Sequence, residues 1–231
     1  MRVKEIFNSD FAVYYEKVIN RLSSPVQVNR WRRALIRGAL SIVPEPEVVV
    51  DFCSGAGNMG ELLLEEKPGV KILNCDISKP LLLLARERLE NSGYYVCSDN
   101  RFFPLKSSVV DLLFSSFCVR NSPEPPLTVS ESLRVLRRGG VWAILDFFRP
   151  DKGDLLFKLN NYLFKGFMSL SRLATKSKEA IDYLFESIEN FFTMSEFISL
   201  LNKSGFRVLA AQEFMGGVAG GVIAIKEVDD V

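Results

Sequence analysis

Three polar segments follow apolar runs in the first part of this 231-residue sequence, and each brings side chains that can bind a ligand. In DFCSGAG, which begins at Asp51, Gly55 and Gly57 let the backbone approach a ligand where a side chain would collide. Asp76 follows Gly57 by 19 residues, close to the spacing at which a carboxylate meets ribose hydroxyls in nucleoside-binding α/β folds. Asp99, in SDNRFFPL, is placed to meet an adenine amino group. Together the three segments predict a nucleoside site.

Each segment also has a purely structural interpretation. The glycine turn lacks the full GxGxxG spacing because Cys53 occupies the first glycine position, so by itself it is weak support for a nucleotide site. Asp76 is open to interpretation as a solvated turn residue and Asp99 as a helix cap. Their occurrence after three successive apolar runs favours the ligand site over three independent structural roles.

Alternating strand and helix patterns surround these segments and predict an α/β fold. The sequence predicts two N-terminal helices, over 9–22 and 27–42. Five strand candidates follow, and several of the segments that connect them have a helical pattern. The strand candidates are 48–52, 71–76, 94–99, 109–116 and 141–148. A last helix, 193–204, leads to two strands, 206–214 and 220–228, which we expect to pair antiparallel through Gly216 and Gly217. The pattern predicts a seven-stranded, mostly parallel sheet flanked by helices.

The remaining features concern element ends and organisation. Arg137, Arg138 and the pair 139–140 favour the end of a helix just before the fifth strand. An aromatic-rich and helical segment, 152–190, interrupts the alternation before the last two strands and is the natural element for acceptor specificity. We expect one domain over 1–231, with N-terminal helices in 1–42 and the insertion acting as a lid.

Composition narrows the classes of partner and compartment. Lys plus Arg (29) nearly balance Asp plus Glu (28), which argues against a nucleic-acid partner, although basic clusters at 30–37 and 134–138 leave an RNA-binding alternative open. The N-terminus has no apolar signal core, which predicts a cytoplasmic protein. The four cysteines follow the strand-helix period and fall near strand ends; we expect small buried thiols and assign no metal.

Longer stretches resemble a known family. Asp51, the glycine turn, Asp76 and Asp99 resemble the motif set of Rossmann-like class I S-adenosylmethionine methyltransferases. FCVRNSPEPPLTVSESLRVLRRGGVWAILDFFRP (117–150) is similar to the signature of ubiquinone and menaquinone biosynthesis C-methyltransferases, and segments near both ends, FAVYYEKVINRLSSPVQVNRWRRAL, IDYLFESIENF, NKSGFRVL and MGGVAGGVIAI, extend the similarity over nearly the whole chain. The chain departs from the family where Asn58 replaces Asp and Asn29 replaces His, and the late family His is absent.

The resemblance implies a cofactor, its site and two catalytic residues. S-adenosylmethionine would be the methyl donor and S-adenosylhomocysteine the product. The cofactor-binding residues implied by the motifs are Asp51, Cys53, Gly55, Gly57, Asp76, Ile77, Asp99, Asn100 and Ser116. Arg120 and Asn121 match the family's Arg-Asn pair, where a guanidinium would stabilise a developing phenolate and Asn would hold a water; a loop-capping role for both is equally open.

The acceptor implied by the resemblance is a prenylated quinol, methylated on a ring carbon. Leu156, Leu159, Leu163, Phe167 and Leu170 recur at helical spacing, an apolar face that suits an isoprenoid tail and peripheral membrane contact, but equally core packing or a homodimer interface. Tyr162, Tyr183 and Glu186 are polar candidates near the acceptor. Another small lipid-like or phenolic acceptor, or a non-catalytic cofactor-binding assembly subunit, remains an alternative.

Overall fold

The computed structural model of the protein describes residues 25–150 and 178–227. We number the helices and strands of these two stretches in chain order. The helices are α1 (Pro25–Ile42), α2 (Asn58–Glu66), α3 (Lys79–Leu89), α4 (Pro125–Val135), α5 (Lys178–Glu189) and α6 (Met194–Lys203). The strands are β1 (Val49–Phe52), β2 (Ile72–Asp76), β3 (Gly93–Cys97), β4 (Val110–Ser116), β5 (Leu136–Phe147), β6 (Phe206–Phe214) and β7 (Ala219–Lys226).

The seven strands form one sheet in the order β3-β2-β1-β4-β5-β7-β6, which confirms the predicted fold class. Strands β1 to β5 pair in parallel, so the carboxyl ends of β1, β2 and β4 meet at one edge. The register sets Asp51 beside Asn74 on one side and Phe114 on the other. The central strands are mostly apolar because both faces of the sheet are covered, and every residue of β1, including Asp51, is buried.

Strand β7 pairs antiparallel with β6, as predicted from the paired glycines, and it also pairs antiparallel with β5. The turn between β6 and β7 contains Gly216 and Gly217, whose φ angles of 64° and 88° lie in the left-handed region. A side chain there would be strained, so glycine is the residue type that allows this tight reversal.

Helices cover both faces of the sheet and create two apolar cores. On one face, α1 packs Trp31, Ile36 and Ala39 against β5 and β7, and α2 packs beside it. On the other, Phe197 and Leu201 of α6 join the core that contains the fully buried Trp142. The helix α1 therefore lies directly beside the central strands, with its N-terminal half near their carboxyl ends.

One predicted helix end is wrong. Helix α4 ends at Val135, and residues 136–140 already belong to β5. Leu136 pairs with Val110, and the Arg137 side chain binds the Asp111 carboxylate, so cross-strand contacts extend β5 by five residues towards its start. Arg137, which the sequence places at a helix end, is held by a strand partner instead.

Several predictions concern segments outside the described residues. The helix 9–22, Tyr162 and the apolar positions of 156–170 lie there; only the end of the insertion is described, as α5. Within the described stretches, none of the helices combines the length and the apolar character that crossing a membrane requires.

Candidate cofactor site and acceptor edge

The glycine-rich loop turns sharply as it leaves β1. Cys53, Gly55 and Gly57 have φ angles of 52°, 55° and 81°, and the amide of Gly57 donates to the Ser54 carbonyl (2.9 Å). A Cβ on Gly57 would lie 3.2 Å from the backbone of Ala85, so glycine also permits close packing against α3. The loop thereby brings the N-terminus of α2 to the carboxyl edge of the sheet.

Asp76 fastens the glycine-rich loop to the end of β2. Its carboxylate accepts the amide hydrogens of Gly55 (2.9 Å) and Ser78 (2.8 Å), and only 7% of the residue is exposed. The burial of Asp76 argues against the alternative of a solvated turn residue. A carboxylate accepts about four hydrogen bonds, so a role towards ribose hydroxyls is compatible with these two contacts.

Asp51 is the most unusual polar group of the site. It is 1% exposed, and neither carboxylate oxygen has a hydrogen-bond partner in the described part of the chain. Burial raises its pKa to about 8, an effect that the positive charge of Arg32 partly opposes. A carboxylate in this position suits a cationic ligand group, because a cation would supply the missing partner.

Asp99 and Asn100 follow β3 at the same edge. Both Asp99 oxygens accept from the Arg101 side chain, at 3.0 Å from Nε and 2.7 Å from Nη2, and this contact raises the pKa of Arg101. Asp99 also accepts the backbone amide hydrogen of Arg101 (3.0 Å). This is a turn contact, and in the described stretch before β4 no helix follows Asp99 for it to cap, as the alternative interpretation required. An adenine contact at Asp99 therefore remains a prediction, and it would have to coexist with Arg101.

A disulfide joins Cys53 and Cys118, which corrects the prediction of free thiols at these positions. It links the glycine-rich loop to the loop after β4 across a sequence separation of 65 residues. The Asn100 side-chain amide lies against both sulfurs, at 3.5 and 3.4 Å. Of the other two cysteines, Cys75 is a buried thiol, as predicted, and Cys97 is exposed. The parallel strands explain the pairing, because they bring both loops to one edge.

Arg120 and Asp146 form a buried ion pair below the loop that follows β4. The guanidinium Nη1 lies 2.7 Å from Asp146 Oδ1, and the Arg120 amide donates to Oδ2 of the same carboxylate (3.2 Å). The aromatic rings of Phe117 and Phe147 cover the guanidinium, with their centres 5.9 and 5.1 Å from Cζ. Arg120 thus holds the 3-10 turn Val119–Asn121 in place.

Asn121 faces helix α5 and meets one of the predicted acceptor-side residues. Tyr183 Oη donates to Asn121 Oδ1 (3.2 Å), while Asn121 Nδ2 donates to the Phe117 carbonyl (3.0 Å). Phe117 in turn stacks on Phe147, with ring centres 4.7 Å apart. We call Phe117, Asn121, Phe147 and Tyr183 the acceptor edge. Glu186 is exposed one turn further along α5.

Comparison with known proteins shows the family to which the chain belongs. The family model described as the ubiE/COQ5 methyltransferase family matches residues 1–226. The chain belongs to the ubiE/COQ5 methyltransferase family. It is 31% identical, over 97% of both chains, to the ubiquinone/menaquinone biosynthesis C-methyltransferase UbiE of Campylobacter jejuni. It is 27% identical to the demethylmenaquinone methyltransferase of Thermotoga maritima, covering 83% of this chain and 82% of that protein.

A solved structure with lower sequence identity to this chain has the same fold. The plantazolicin methyltransferase BpumL, determined with S-adenosylhomocysteine, superimposes with a TM-score of 0.73 at 15% identity, covering 98% of this chain and 95% of that chain. The protein is thus a methyltransferase of the ubiE/COQ5 family, and S-adenosylmethionine is its cofactor.

The residues of the site fit this cofactor. Asp51 offers a buried carboxylate without a hydrogen-bond partner, suited to an ammonium group, and the loop containing Gly55 and Gly57 provides a backbone cradle. Ile77 follows Asp76 at the next strand end, and Ser116 closes β4 beside them. The structure therefore gathers the predicted residues of three strand ends on the same edge of the sheet.

One residue at this edge was not predicted. Arg32 of α1 is 6% exposed, and its Nε donates to Ser116 Oγ (3.1 Å). In the sequence it stands among several arginines, Arg30 to Arg37, and nothing in the spacing separates it from its exposed neighbours. A helical projection that places Arg32 beside the buried Trp31, Leu35 and Ile36 is the signal that could have found it.

Proposed function

We propose that the protein transfers the methyl group of S-adenosylmethionine to a ring carbon of a reduced, prenylated demethylquinol, of the demethylmenaquinol type. The observation on which this proposal rests is the full-length similarity to the Campylobacter jejuni and Thermotoga maritima enzymes, whose names specify quinone biosynthesis and demethylmenaquinone. The acceptor edge lies beside the cofactor residues and has the chemistry that such a ring requires.

The acceptor edge combines aromatic surface with two polar groups. The stacked rings of Phe117 and Phe147 offer an apolar wall for a quinol ring, and the paired side chains of Asn121 and Tyr183 offer hydrogen bonds to its hydroxyls. Because Asn121 is fixed through the Phe117 carbonyl, the Tyr183 hydroxyl is held near one position. This arrangement suits a flat, hydroxylated and otherwise apolar acceptor.

The chemistry requires alignment and an electron-rich ring carbon. Bound S-adenosylmethionine supplies an activated methyl group on a sulfonium sulfur. The protein holds the ring in line with that methyl group. The loss of the acceptor's hydroxyl proton increases the electron density on the ring carbon that attacks the methyl group. The sequence has no His, so a tyrosine, a carboxylate or a water must assist the proton's departure. In our proposal the acceptor hydroxyl donates a hydrogen bond to Tyr183 Oη, which keeps its own proton in the bond to Asn121 Oδ1, and a water receives the hydroxyl proton.

Arg120 takes a supporting role in this proposal. Its charge is already matched by Asp146 in a solvent-free setting, so its effect on a phenolate is reduced. We therefore propose that Arg120 positions Asn121 and the acceptor edge, while the amide and phenol groups contact the acceptor. A peripheral contact with the membrane surface would bring such an acceptor to the protein.

The RNA alternative finds less support. Arg33 and Arg37 of one basic cluster bind Glu66 at 3.1 and 2.9 Å. In the other cluster, Arg134 pairs with Glu131 (2.7 Å). These ion pairs reduce the positive potential that phosphate binding requires.

The test is methyl transfer from isotopically labelled S-adenosylmethionine to a short-tailed demethylmenaquinone, followed by mass spectrometry. The reduced and oxidised acceptors are compared, with a short-tailed demethylated benzoquinol and a simple catechol as alternative acceptors. We expect labelled product from the reduced naphthoquinol only. Product from the catechol alone would replace the quinol by another phenolic acceptor, and cofactor binding without any product would indicate a non-catalytic subunit.

A further inference from the structure

The disulfide between Cys53 and Cys118 joins two of the strand ends that carry the candidate cofactor residues. Cys53 lies in the glycine-rich loop after β1, and Cys118 lies immediately before the 3-10 turn Val119–Asn121 that follows β4. Asn100, which follows β3, contacts both sulfurs. A single covalent bond therefore fixes the distance between two loops that border the candidate cofactor site.

Two residues at this bond have a backbone conformation that favours glycine. The φ angle of Cys53 is 52°, and that of Phe117, the residue before Cys118, is 58°. Both angles lie in the left-handed region, where a side chain costs conformational energy that glycine would avoid. Cys53 also occupies the first position of the glycine pattern, so glycine would be the less costly residue there. The cross-link gives a reason for cysteine at this position, because the bond requires a thiol.

The surroundings of the two sulfurs suit thiol–disulfide exchange. Cys118 is 1% exposed whereas Cys53 is partly exposed, so Cys53 is the more accessible of the two to a thiol from solution. Asn100 Nδ2 donates to both sulfurs, and the buried Thr128 Oγ1 donates to Asn100 Oδ1 (3.4 Å). The amide hydrogens are therefore directed at the sulfurs, where they stabilise a departing thiolate.

We propose that this cysteine pair is a redox modification site that controls cofactor affinity, with a dithiol as its reductant. A thiolate of the dithiol attacks Cys53 Sγ, the Cys53–Cys118 bond breaks, and its electron pair leaves on Cys118 Sγ. The second thiol of the dithiol then displaces Cys53. The dithiol ends as a disulfide, and its two protons end on the two cysteine thiols. The reverse exchange with a disulfide restores the bond.

The two redox states differ in how well the loops are ordered before the cofactor binds. The disulfide holds the glycine-rich loop against the loop after β4, whereas two thiols impose no fixed separation on them. The reduced protein must therefore order these loops when the cofactor binds, and this ordering lowers its affinity.

The experiment measures S-adenosylhomocysteine binding by calorimetry to the oxidised protein and to the protein kept in dithiothreitol. We expect the reduced protein to bind about threefold to tenfold more weakly. The variant Cys53→Ala/Cys118→Ala should show no response to dithiothreitol. The matched control Cys97→Ser keeps the pair, removes the exposed free thiol and should retain the full response. Equal affinity of the two native states, or a response in the double alanine variant, would overturn the inference.

The native protein provides an independent arm through the reciprocity of linked equilibria. If the oxidised form binds S-adenosylhomocysteine more tightly, saturating ligand must raise the ratio of disulfide to dithiol protein by the same factor. This ratio is measured in a buffer of reduced and oxidised dithiothreitol, by counting thiols after acid quenching and unfolding. An unchanged ratio would contradict the proposal.

Circular dichroism separates a released loop from a damaged fold. We expect the reduced and oxidised proteins to have the same far-ultraviolet spectrum, and a reduced protein that has lost its helices would overturn the proposal. No acceptor is present in these measurements, so their outcome is independent of the proposed quinol.

Discussion

The carboxylate of Asp146 binds both the side chain and the backbone of Arg120. It lies 2.7 Å from the guanidinium and accepts the Arg120 amide hydrogen at 3.2 Å. The exposed fractions of the two side chains are 0% and 1%. Because a charge buried without its partner is costly, the pair fixes the turn that presents Asn121.

Removing one member of this pair should destabilise the fold. We expect Arg120→Met to lower the free energy of unfolding by about 3–5 kcal/mol, measured by urea denaturation. The double variant Arg120→Met/Asp146→Leu should recover much of the loss, since no charge is left buried. As a control, Arg149→Met breaks an exposed pair with Glu196 and should change stability little. A stable Arg120→Met protein with greatly reduced turnover would instead favour a direct catalytic role.

Asp76 should be essential for cofactor affinity. Asp76→Ala removes the acceptor of the Gly55 amide hydrogen and the predicted contact to ribose, so we expect roughly a tenfold to hundredfold loss of S-adenosylhomocysteine affinity by calorimetry. Glu87→Gln, an exposed change on α3, is the matched control. Equal binding by Asp76→Ala and the native protein would contradict the assignment.

Cofactor binding should release a proton at Asp51. The pKa of this carboxyl group is raised to about 8, whereas an ammonium group favours its ionised form. We expect affinity for S-adenosylhomocysteine to rise between pH 6 and about pH 8, with proton release detected by calorimetry in buffers of different ionisation enthalpy. The Asp51→Asn variant should bind more weakly and show neither effect; a pH-independent affinity of the native protein would refute the linkage.

The same group should make the stability of the cofactor-free protein depend on pH. The unfolded chain loses the Asp51 proton near its ordinary pKa of about 3.9, whereas the folded protein keeps it up to about pH 8. The unfolded state therefore binds fewer protons in this interval, and the contribution of Asp51 lowers the free energy of unfolding as pH rises. Denaturation curves of Asp51→Asn should lack this contribution; parallel pH profiles of the two proteins would contradict it.

The Tyr183 hydroxyl should matter for turnover more than for cofactor binding. We expect Tyr183→Phe to reduce kcat with the reduced acceptor about threefold to tenfold, the effect of one neutral hydrogen bond, and to leave affinity for S-adenosylhomocysteine unchanged. Tyr94→Phe, at an exposed tyrosine of β3, is the control. An unaltered kcat for Tyr183→Phe would remove this residue from the acceptor edge.

The disulfide should be detectable and stabilising. Under oxidising conditions the unfolded chain should titrate two thiols of its four cysteines, and all four after reduction. Closing a loop of this length is worth about 2–4 kcal/mol, so Cys53→Ala/Cys118→Ala should unfold at lower urea than the oxidised native protein. As a control, the double variant should unfold at the same urea concentration as the reduced native protein. Four reactive thiols in the oxidised sample would contradict the bond.

The fold and the strand ends that carry the candidate cofactor residues could be predicted from the sequence alone. Apolar runs of strand length alternating with helical patterns indicated the sheet, and Gly55, Gly57 and Asp76 stand at fixed spacings that follow from one strand-helix unit. These features are local, so their physical causes can be read from neighbouring residues. The antiparallel end of the sheet was also predictable, because Gly216 and Gly217 allow the turn.

Contacts between side chains that are distant in the sequence could not be predicted and follow from the packing of the folded chain. The Cys53–Cys118 disulfide, the burial of Arg120 against Asp146, and the position of Arg32 beside Asp51 all depend on elements that are far apart in the chain. Residue type does not fix such encounters, because an arginine in the sequence has the same charge whether it pairs with an acid or faces a ligand. Packing over the sheet selects the partner, and burial then sets the strength of the contact.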